Sequence, residues 1–399
     1  MKSNLYIILI IVIALTLLAA ITVAQITVGT PVQVGTGYDK SGTLLNIPRK
    51  SATIRGTSGD TSYVIPLHST TPLSYTDDEG ATHTSVTIML DTTEQFDIHR
   101  GVWSAGGSDG LHVFMATYTG TTLEFIYRYV APPCTQASDR EQVRIISDVP
   151  GSYRGTVVSD ADSVWAVFRE TSDATLFLRK STDRFATAAT TYDWEMDAVG
   201  SEHRVGLFTN DNGLPFLIHL DYLDGFFCRW WQGDGFYGTD ADSVIVSQSL
   251  TGADRAFTVA YTDGVDLIYG RENTTDSLVH YHWSGVAWVR RTVSTTTLGG
   301  IPFYPSSGVR NDSLFCFYNI SSVIVCKVFD GSTWSSLAGV EGDSTVVSGA
   351  QGVDQFTAVP YSIPTSMTTI PFWWVDASNV LWYNELTLEV PIFNVMVTE

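Results

Sequence analysis

Short runs of β-branched and aromatic residues, broken by Gly, Asp, Asn and Ser, recur along most of the chain. No long stretch keeps an apolar period of 3.6 residues, so strands and turns are predicted in place of helices. One hairpin signature returns six times, as SDGLHVFMATY, ADSVWAVFRE, DNGLPFLIHL, ADRAFTVAY, NDSLFCFYN and TTIPFWWVD, each followed by a second apolar run. Its leading aspartates, Asp109, Asp162, Asp211, Asp254 and Asp312, are 53, 49, 43 and 58 residues apart, the spacing of propeller blades. The runs are apolar on both faces, which suits sheets packed between neighbouring sheets and not a sheet with one face in water.

These features predict an all-β chain, a β-propeller of about six or else seven four-stranded blades, following an N-terminal hydrophobic segment. A ring of blades leaves only short, protected strand edges. In each unit a run such as FDIHRGVW or GSYRGTVV supplies the innermost strand, A. The signature is strand B, the next run is strand C, and outer segments such as YDWEMDA form strand D. The fourth and fifth units are irregular, with additional strand-like material from Ser277 to Val293. Residues 25–96 are expected to form a β arm or an additional blade with the closing strand, residues 97–399 the repeats, and LEVPIFNVMV at the end to help close the ring.

Ahead of the repeats, Lys2 precedes an apolar run from Leu5 to Ala24 that ends in small residues. Residues 1–24 thus read as a secretory signal peptide or as an uncleaved N-terminal membrane anchor. Both readings place the rest of the chain outside the cell, secreted or anchored, with the membrane touched only through those residues. The net charge of −20 excludes nucleic acid as a natural partner and suits a solubility device in a salty or calcium-containing medium. Four cysteines fit an oxidising compartment. Cys316 and Cys326 flank a hairpin expected to turn around Ser321, which makes them a disulfide candidate; Cys134 and Cys228 can pair only through the tertiary fold. Sequons stand at Asn273, Asn311 and Asn319.

HWSGVAW at 282–288 and FDGSTW at 329–334 carry a polar turn followed by Gly and Trp, and on these the chain resembles the lectin-like β-propellers. RKSTDRFAT and FDGSTW are also similar to degenerate copies of the Asp-box turn of sialidase propellers. The resemblance implies a glycan ligand on one face. It carries over no catalytic residue, because the sialidase tyrosine and glutamate pair matches no position here.

In a propeller the D-to-A and B-to-C connections surround one mouth of the central channel, where convergent loops favour binding. Three A strands carry arginine in similar contexts, IHRG with Arg100, SYRG with Arg154 and EHRV with Arg204, predicting an arc of guanidiniums suited to a carboxylate, sulfate or phosphate. Each arginine serves equally well as a partner for a carbonyl or aspartate of the next blade. Tyr304, Asp240, Asp242 and Asp354 are placed on the opposite arc, and Glu170, Asp173, Asp221, Asp224, Asp263 and Asp266 on B-to-C turns. Such an acidic rim is either solvated turn chemistry or a place for calcium or for acid and base groups.

A second ring, Arg128, Arg179, Arg229, Arg271 and Lys327 at the ends of C strands, reads as structural, pairing with the A-to-B aspartates to join blades. GGSDG at 106–110 matches a serine-hydrolase pattern but lacks the strand-turn-helix setting that chemistry needs. His280 and His282 alternate along one strand like two metal ligands, with no third apparent, so surface histidines are expected and no metal or other cofactor is assigned. The Trp pairs at 230–231 and 373–374 read as packing between blades, with sugar stacking as the alternative.

The leading expectation is therefore an exported binding protein without catalysis, recognising a glycan or another surface ligand at the mouth through Arg100, Arg154, Arg204, Asp221, Asp263 and Tyr304. The alternatives are a sialidase-like glycoside hydrolase acting on an acidic sugar, and a structural or adhesion protein with no small ligand.

Overall fold

The computed structural model describes residues 26–38, 49–55, 60–65, 72–78, 81–87, 93–103, 108–119, 122–131, 141, 144–147, 151–160, 162–170, 175–187, 193–197, 203–210, 213–221, 225–238, 244–247, 257–271, 277–295, 305–320, 323–337, 345–347 and 353–388. Their strands form seven antiparallel sheets, the seven blades of a β-propeller. From the inner strand outwards, blade I comprises Ser51–Arg55, Asp60–Val64, Pro72–Thr76 and Thr84–Thr87. Blade II comprises Thr93–Trp103, Ser108–Thr119, Thr122–Val130 and Arg144–Ser147, and blade III Gly151–Ser159, Val164–Glu170, Thr175–Ser181 and Trp194–Asp197. Blade IV has His203–Thr209, Pro215–Asp221 and Gly225–Trp231, with two outer segments, Phe236–Tyr237 and Val244–Ser247. Blade V has Phe257–Tyr261, Val265–Arg271, Ser277–Trp283 and Trp288–Thr295.

Blade VI has Ser306–Arg310, Ser313–Ile320 and Val323–Phe329, edged by Trp334–Ser336 and Thr345–Val347. In blade VII, Val353–Ala358, Thr369–Asp376 and Val380–Leu388 are completed by Ile26–Val28 and Val32–Thr36 from the other end of the chain. The ring thus closes by pairing between the N-terminal and C-terminal strands, Ile26 opposite Leu388 and Val32 opposite Tyr383.

Apolar residues on both sheet faces make this arrangement necessary, because each blade must cover two neighbours. All eight residues of Thr369–Asp376 are buried. Phe114 and Phe125 of blade II pack with Phe168 of III, Trp165 of III with Leu207 of IV, and Phe226 of IV with Phe257 of V. Ile268 of V meets Tyr318 of VI, Phe317 of VI meets Phe372 of VII, and Trp373 of VII shares a cluster with Tyr63 of I and Val113 of II. The tryptophan pair at 373–374 is therefore packing, one ring on each side of its blade. Between blades II and III, a Cβ on Gly155 would lie 2.2 Å from the buried Phe114 ring, so glycine is required for this packing.

Two expectations about pairing change. The fourth signature, ADRAFTVAY, contains the innermost strand of blade V and not a second strand: Thr262–Gly264 turns Phe257–Tyr261 directly into Val265–Arg271. The run SVIV, expected to be inner, forms an outer segment of blade IV, and the material from Ser277 to Val293 supplies the missing half of blade V.

The Cys316–Cys326 disulfide is likewise excluded by register. Cys316 stands opposite Lys327 and Cys326 opposite Phe317, so the hairpin is offset by one residue and the two thiols point to opposite sheet faces. Cys316 packs toward blade V and Cys326 toward blade VII. Cys228, Cys316 and Cys326 are all free and buried, and burial pushes the Cys316 and Cys326 thiols well above their ordinary range. Cys134, residues 1–24 and LEVPIFNVMV from Glu389 onward lie outside the described residues. Among the described residues no helix is long and apolar enough to cross a membrane.

Cys316 and Cys326 are expected to be alkylated separately after unfolding without reductant, and peptide mapping that recovers a bridge between them would contradict the register.

Candidate functional site

The inner strands of the seven blades surround a channel whose A-to-B half holds a cavity of about 710 Å³. Ser51 and Thr53 of blade I, His99 and Arg100 of blade II, and Ser159 of blade III line it. Thr209 and Asn210, Tyr261 and Thr262, and Arg310 to Asp312 follow from blades IV to VI, and the connection after the inner strand of blade VII adds Tyr361, Ser362 and Thr365. Most contributors are the last residues of inner strands, so the cavity opens at the A-to-B end, opposite the mouth expected from sequence.

A buried ion pair crosses the channel at the inner limit of this cavity. Arg49, just ahead of blade I, donates from Nε to Asp97 Oδ1 at 3.1 Å and from Nη2 to Asp97 Oδ2 at 2.5 Å. Nη2 also donates to the carbonyl of Val157 in blade III. Asp97 accepts two further bonds, from the Thr156 hydroxyl at 2.7 Å and the Val157 amide at 3.0 Å. Thr156 in turn accepts the Leu207 amide of blade IV at 3.0 Å. The pair is 2% and 0% exposed, and desolvation of that kind is tolerable only because most lone pairs and protons are matched. Arg49 Nη1 is buried without a partner. The guanidinium lies 5.1 Å from the Phe208 ring centroid, a cation–π contact.

Above this floor the imidazole of His99 accepts the Ser159 amide on Nδ1 at 3.2 Å, which leaves the proton of the neutral ring on Nε2. Burial first, then Arg49, His112 and Arg100, hold His99 well below the usual histidine range. The neighbouring His112, bonded to the Tyr127 hydroxyl at 2.8 Å, is held down to about 3 by burial and Arg184. Arg310 donates to two neutral acceptors, the carbonyls of Thr365 at 3.1 Å and Met367 at 2.7 Å, and no carboxylate among the described residues pairs with it. Gly308 permits this approach, since a Cβ there would meet Pro360 O at 2.3 Å. The lining thus carries Arg49, Arg100 and Arg310 against Asp312 as its one carboxylate among the described residues.

Strand register separates the residues singled out from sequence. Arg154 and Arg204 stand near the starts of their inner strands, Arg204 opposite Leu220, at the end where Asp221 closes the second strand of blade IV. Arg100 is three residues from the end of an inner strand that begins earlier, at Thr93, so it lines the cavity at the other end of the channel. The expected three-arginine arc is therefore not formed. Asp263 sits in the A-to-B turn of blade V, exposed, and not in a B-to-C turn, because its hairpin is the inner one. Tyr304 and the side chains of Arg154, Arg204 and Asp221 lie outside the described residues. Sequence reasoning missed Arg49, His99 and Arg310; the cation pair Arg49–Lys50 was the available signal, in a segment read as a β arm or an additional blade.

Two members of the second cationic ring join blades through carbonyls, while Arg229 donates from Nε to His219 Nε2 of its own blade at 3.3 Å. Arg179 of blade III donates to Ile146 O of blade II, and Lys327 of blade VI to Val293 O of blade V at 2.8 Å. Arg271 breaks the pattern, since it ends the second strand of its blade and not the third.

His280 and His282 are buried, not on the surface, and a third group does join them. Asp266 Oδ1 accepts from His280 Nε2 and His282 Nδ1, both at 2.8 Å, while Oδ2 accepts the Thr262 hydroxyl at 2.8 Å. The donor set does not suit a metal. Trp334 Nε1 donates to His280 Nδ1 at 3.1 Å, so the ring proton sits on Nε2, the atom a metal would need. The cluster is a hydrogen-bonded clasp from blade V to blade VI. The two segments resembling Asp-box turns are closed by their own aspartates: Asp183 accepts the Ala186 and Thr187 amides, and Asp330 those of Ser332 and Thr333.

No family model and no curated protein matches this chain. Among solved structures, an ulvan lyase of a polysaccharide lyase family superposes with a TM-score of 0.57 at 10% identity, over 90% of this chain and 96% of its own. A fucose-specific lectin from Aleuria aurantia gives a TM-score of 0.47 at 10% identity over 83% of this chain and 100% of its own. AofleA from Arthrobotrys oligospora gives 0.49 at 8% identity over 78% and 88%. At these identities the likeness to the lyase is one of fold, the propeller.

Arg49→Met is expected to cost about 3–5 kcal/mol by stranding the Asp97 charge, and Arg49→Met/Asp97→Leu to recover part of it, read from denaturant unfolding. Stability is also expected to fall as pH drops below about 6.5. Unfolded histidines then bind protons that His99 and His112 refuse in the fold, until the pH reaches the His112 value of about 3. His282, raised by its bond to Asp266, acts in the opposite sense.

Proposed function

We propose that the protein is an exported glycan-binding propeller that takes an anionic saccharide into the channel cavity. The observation that carries this reading is the charge inversion at the centre: a chain of net charge −20 lines its central cavity with three arginines. Arg49 is matched by Asp97, but among the described residues Arg310 is held only by neutral carbonyls, so its field reaches the cavity. Serine, threonine and asparagine side chains supply the hydrogen-bonding edges a sugar needs, and Tyr261 and Tyr361 supply ring faces. The ulvan lyase of the same fold has been solved with -[GlcA(1-4)Rha3S]-, an acidic and sulfated saccharide, and the apolar run at 1–24 supports export.

A second reading, cleavage of the bound sugar, has one observation in its favour: the neutral imidazole of His99 lines the same cavity as Arg100. The paired carboxylates of hydrolysis are not found among the described lining residues, which makes proton transfer by His99 the chemistry to test.

Arg310→Gln keeps a donor for the Thr365 carbonyl and removes the charge. It is expected to weaken binding of a glucuronate-containing oligosaccharide at least about tenfold at about 0.1 M salt and to flatten the salt dependence. Equal affinity of variant and wild type by calorimetry would reject the cavity as the anion site. New chain ends that accumulate with wild type and not with His99→Ala would establish cleavage.

A further inference from the structure

The channel is blocked partway along, and this bears on which part of a glycan the cavity can hold. Side chains from five blades or their flanking segments meet at the block. Arg49 arrives from the entry to blade I, Asp97 from II, Thr156 from III and Phe208 from IV, all of them buried. From the far side of the ring, the Tyr361 ring in the connection after the inner strand of blade VII packs on Phe208, centroids 5.5 Å apart. That connection is itself pinned to blade VI: Val309 and Tyr361 share a backbone bond of 3.0 Å, Ile363 and Val309 one of 2.9 Å, and Arg310 holds Thr365 and Met367.

The cavity is therefore a blind recess with a cationic lining. A polysaccharide cannot thread it, because passage would require separating the Arg49–Asp97 pair and leaving two buried charges unmatched. A chain laid across the A-to-B rim would leave the deeper donors without partners. A chain end can enter, place an acidic group among the arginines and keep the remainder of the glycan outside in water.

The geometry points to recognition of chain ends: the cavity takes a terminal acidic sugar residue in preference to the same residue inside a chain. This inference rests on the anionic-saccharide reading above and narrows it.

The test uses the folded protein and four tetrasaccharides of equal length in calorimetric titration. One carries glucuronate at the non-reducing end, one an aldonate at the reducing end, one glucuronate at an internal position between neutral sugars, and one no acid. At least one terminal-acid isomer is expected to bind about tenfold or more tighter than the internal isomer, and the neutral one weakest. Equal or tighter binding of the internal isomer overturns end recognition and leaves the anionic-saccharide reading standing. Binding of the neutral isomer as tightly as any acidic one, or binding of none, overturns both. The Phe208→Ala variant, at a buried ring outside the cavity lining, adds a second measurement: with its contact to Tyr361 removed and the block loosened on one side, the preference for a terminal acid is expected to shrink while binding of acidic isomers persists. An unchanged preference in that variant would show that the Tyr361 contact does not set it and would count against the blind recess.

Discussion

The bidentate contact between Arg49 and Asp97 is the constraint around which the centre of this molecule is organised. Propeller blades cohere pairwise through apolar clusters, each cluster concerned with its own neighbours. The ion pair is different in kind. It ties the segment before blade I to the inner strands of II and III, and through the Thr156 hydroxyl to IV. A charge pair this deep has directional demands that an apolar core lacks, so it sets the height of those inner strands relative to one another. The depth of the cavity, the level at which His99 meets Ser159 and the separation of Arg100 from Arg154 all follow from that alignment.

The fold was legible because its signals are repetitive. A hairpin signature returning at blade-like intervals, apolar on both faces, has few architectural solutions. The number of blades was harder to read, because the six signatures fall one each in blades II to VII and blade I carries none; in blade V, moreover, the signature lies on the inner strand, whereas in the others it lies on the second. The tight turn at Thr262–Gly264 joins that inner strand directly to the second. The inner position of that signature hid the pairing within blade V, and Ser277–Val293 looked like excess material when it was half a blade.

The site was much less legible, and the reason is register. Three arginines in similar four-residue contexts suggested a common height, but the inner strand of blade II runs for 11 residues and that of blade IV for 7, so equal motifs fall at unequal depths. A shift of one residue in the hairpin at Ile320–Val323 likewise turns two facing cysteines into thiols on opposite sides of a sheet. His280 and His282 show the complementary case. Their alternation was visible, but Asp266 lies on the adjacent strand opposite His282, and only pairing reveals it.

The seam of blade VII has a mechanical meaning. Ile26 lies opposite Leu388 in an antiparallel pair, so the outgoing ends of the two closing strands leave the sheet side by side. A load drawing those ends apart acts across the ladder and meets its hydrogen bonds one after another, the peeling geometry, in which no single step carries the sum of the bonds. A pull along the strands would have met them together. A propeller tethered through one end and tugged through the other would therefore open at this seam first, as a zip does, while the six remaining blades keep their sheets.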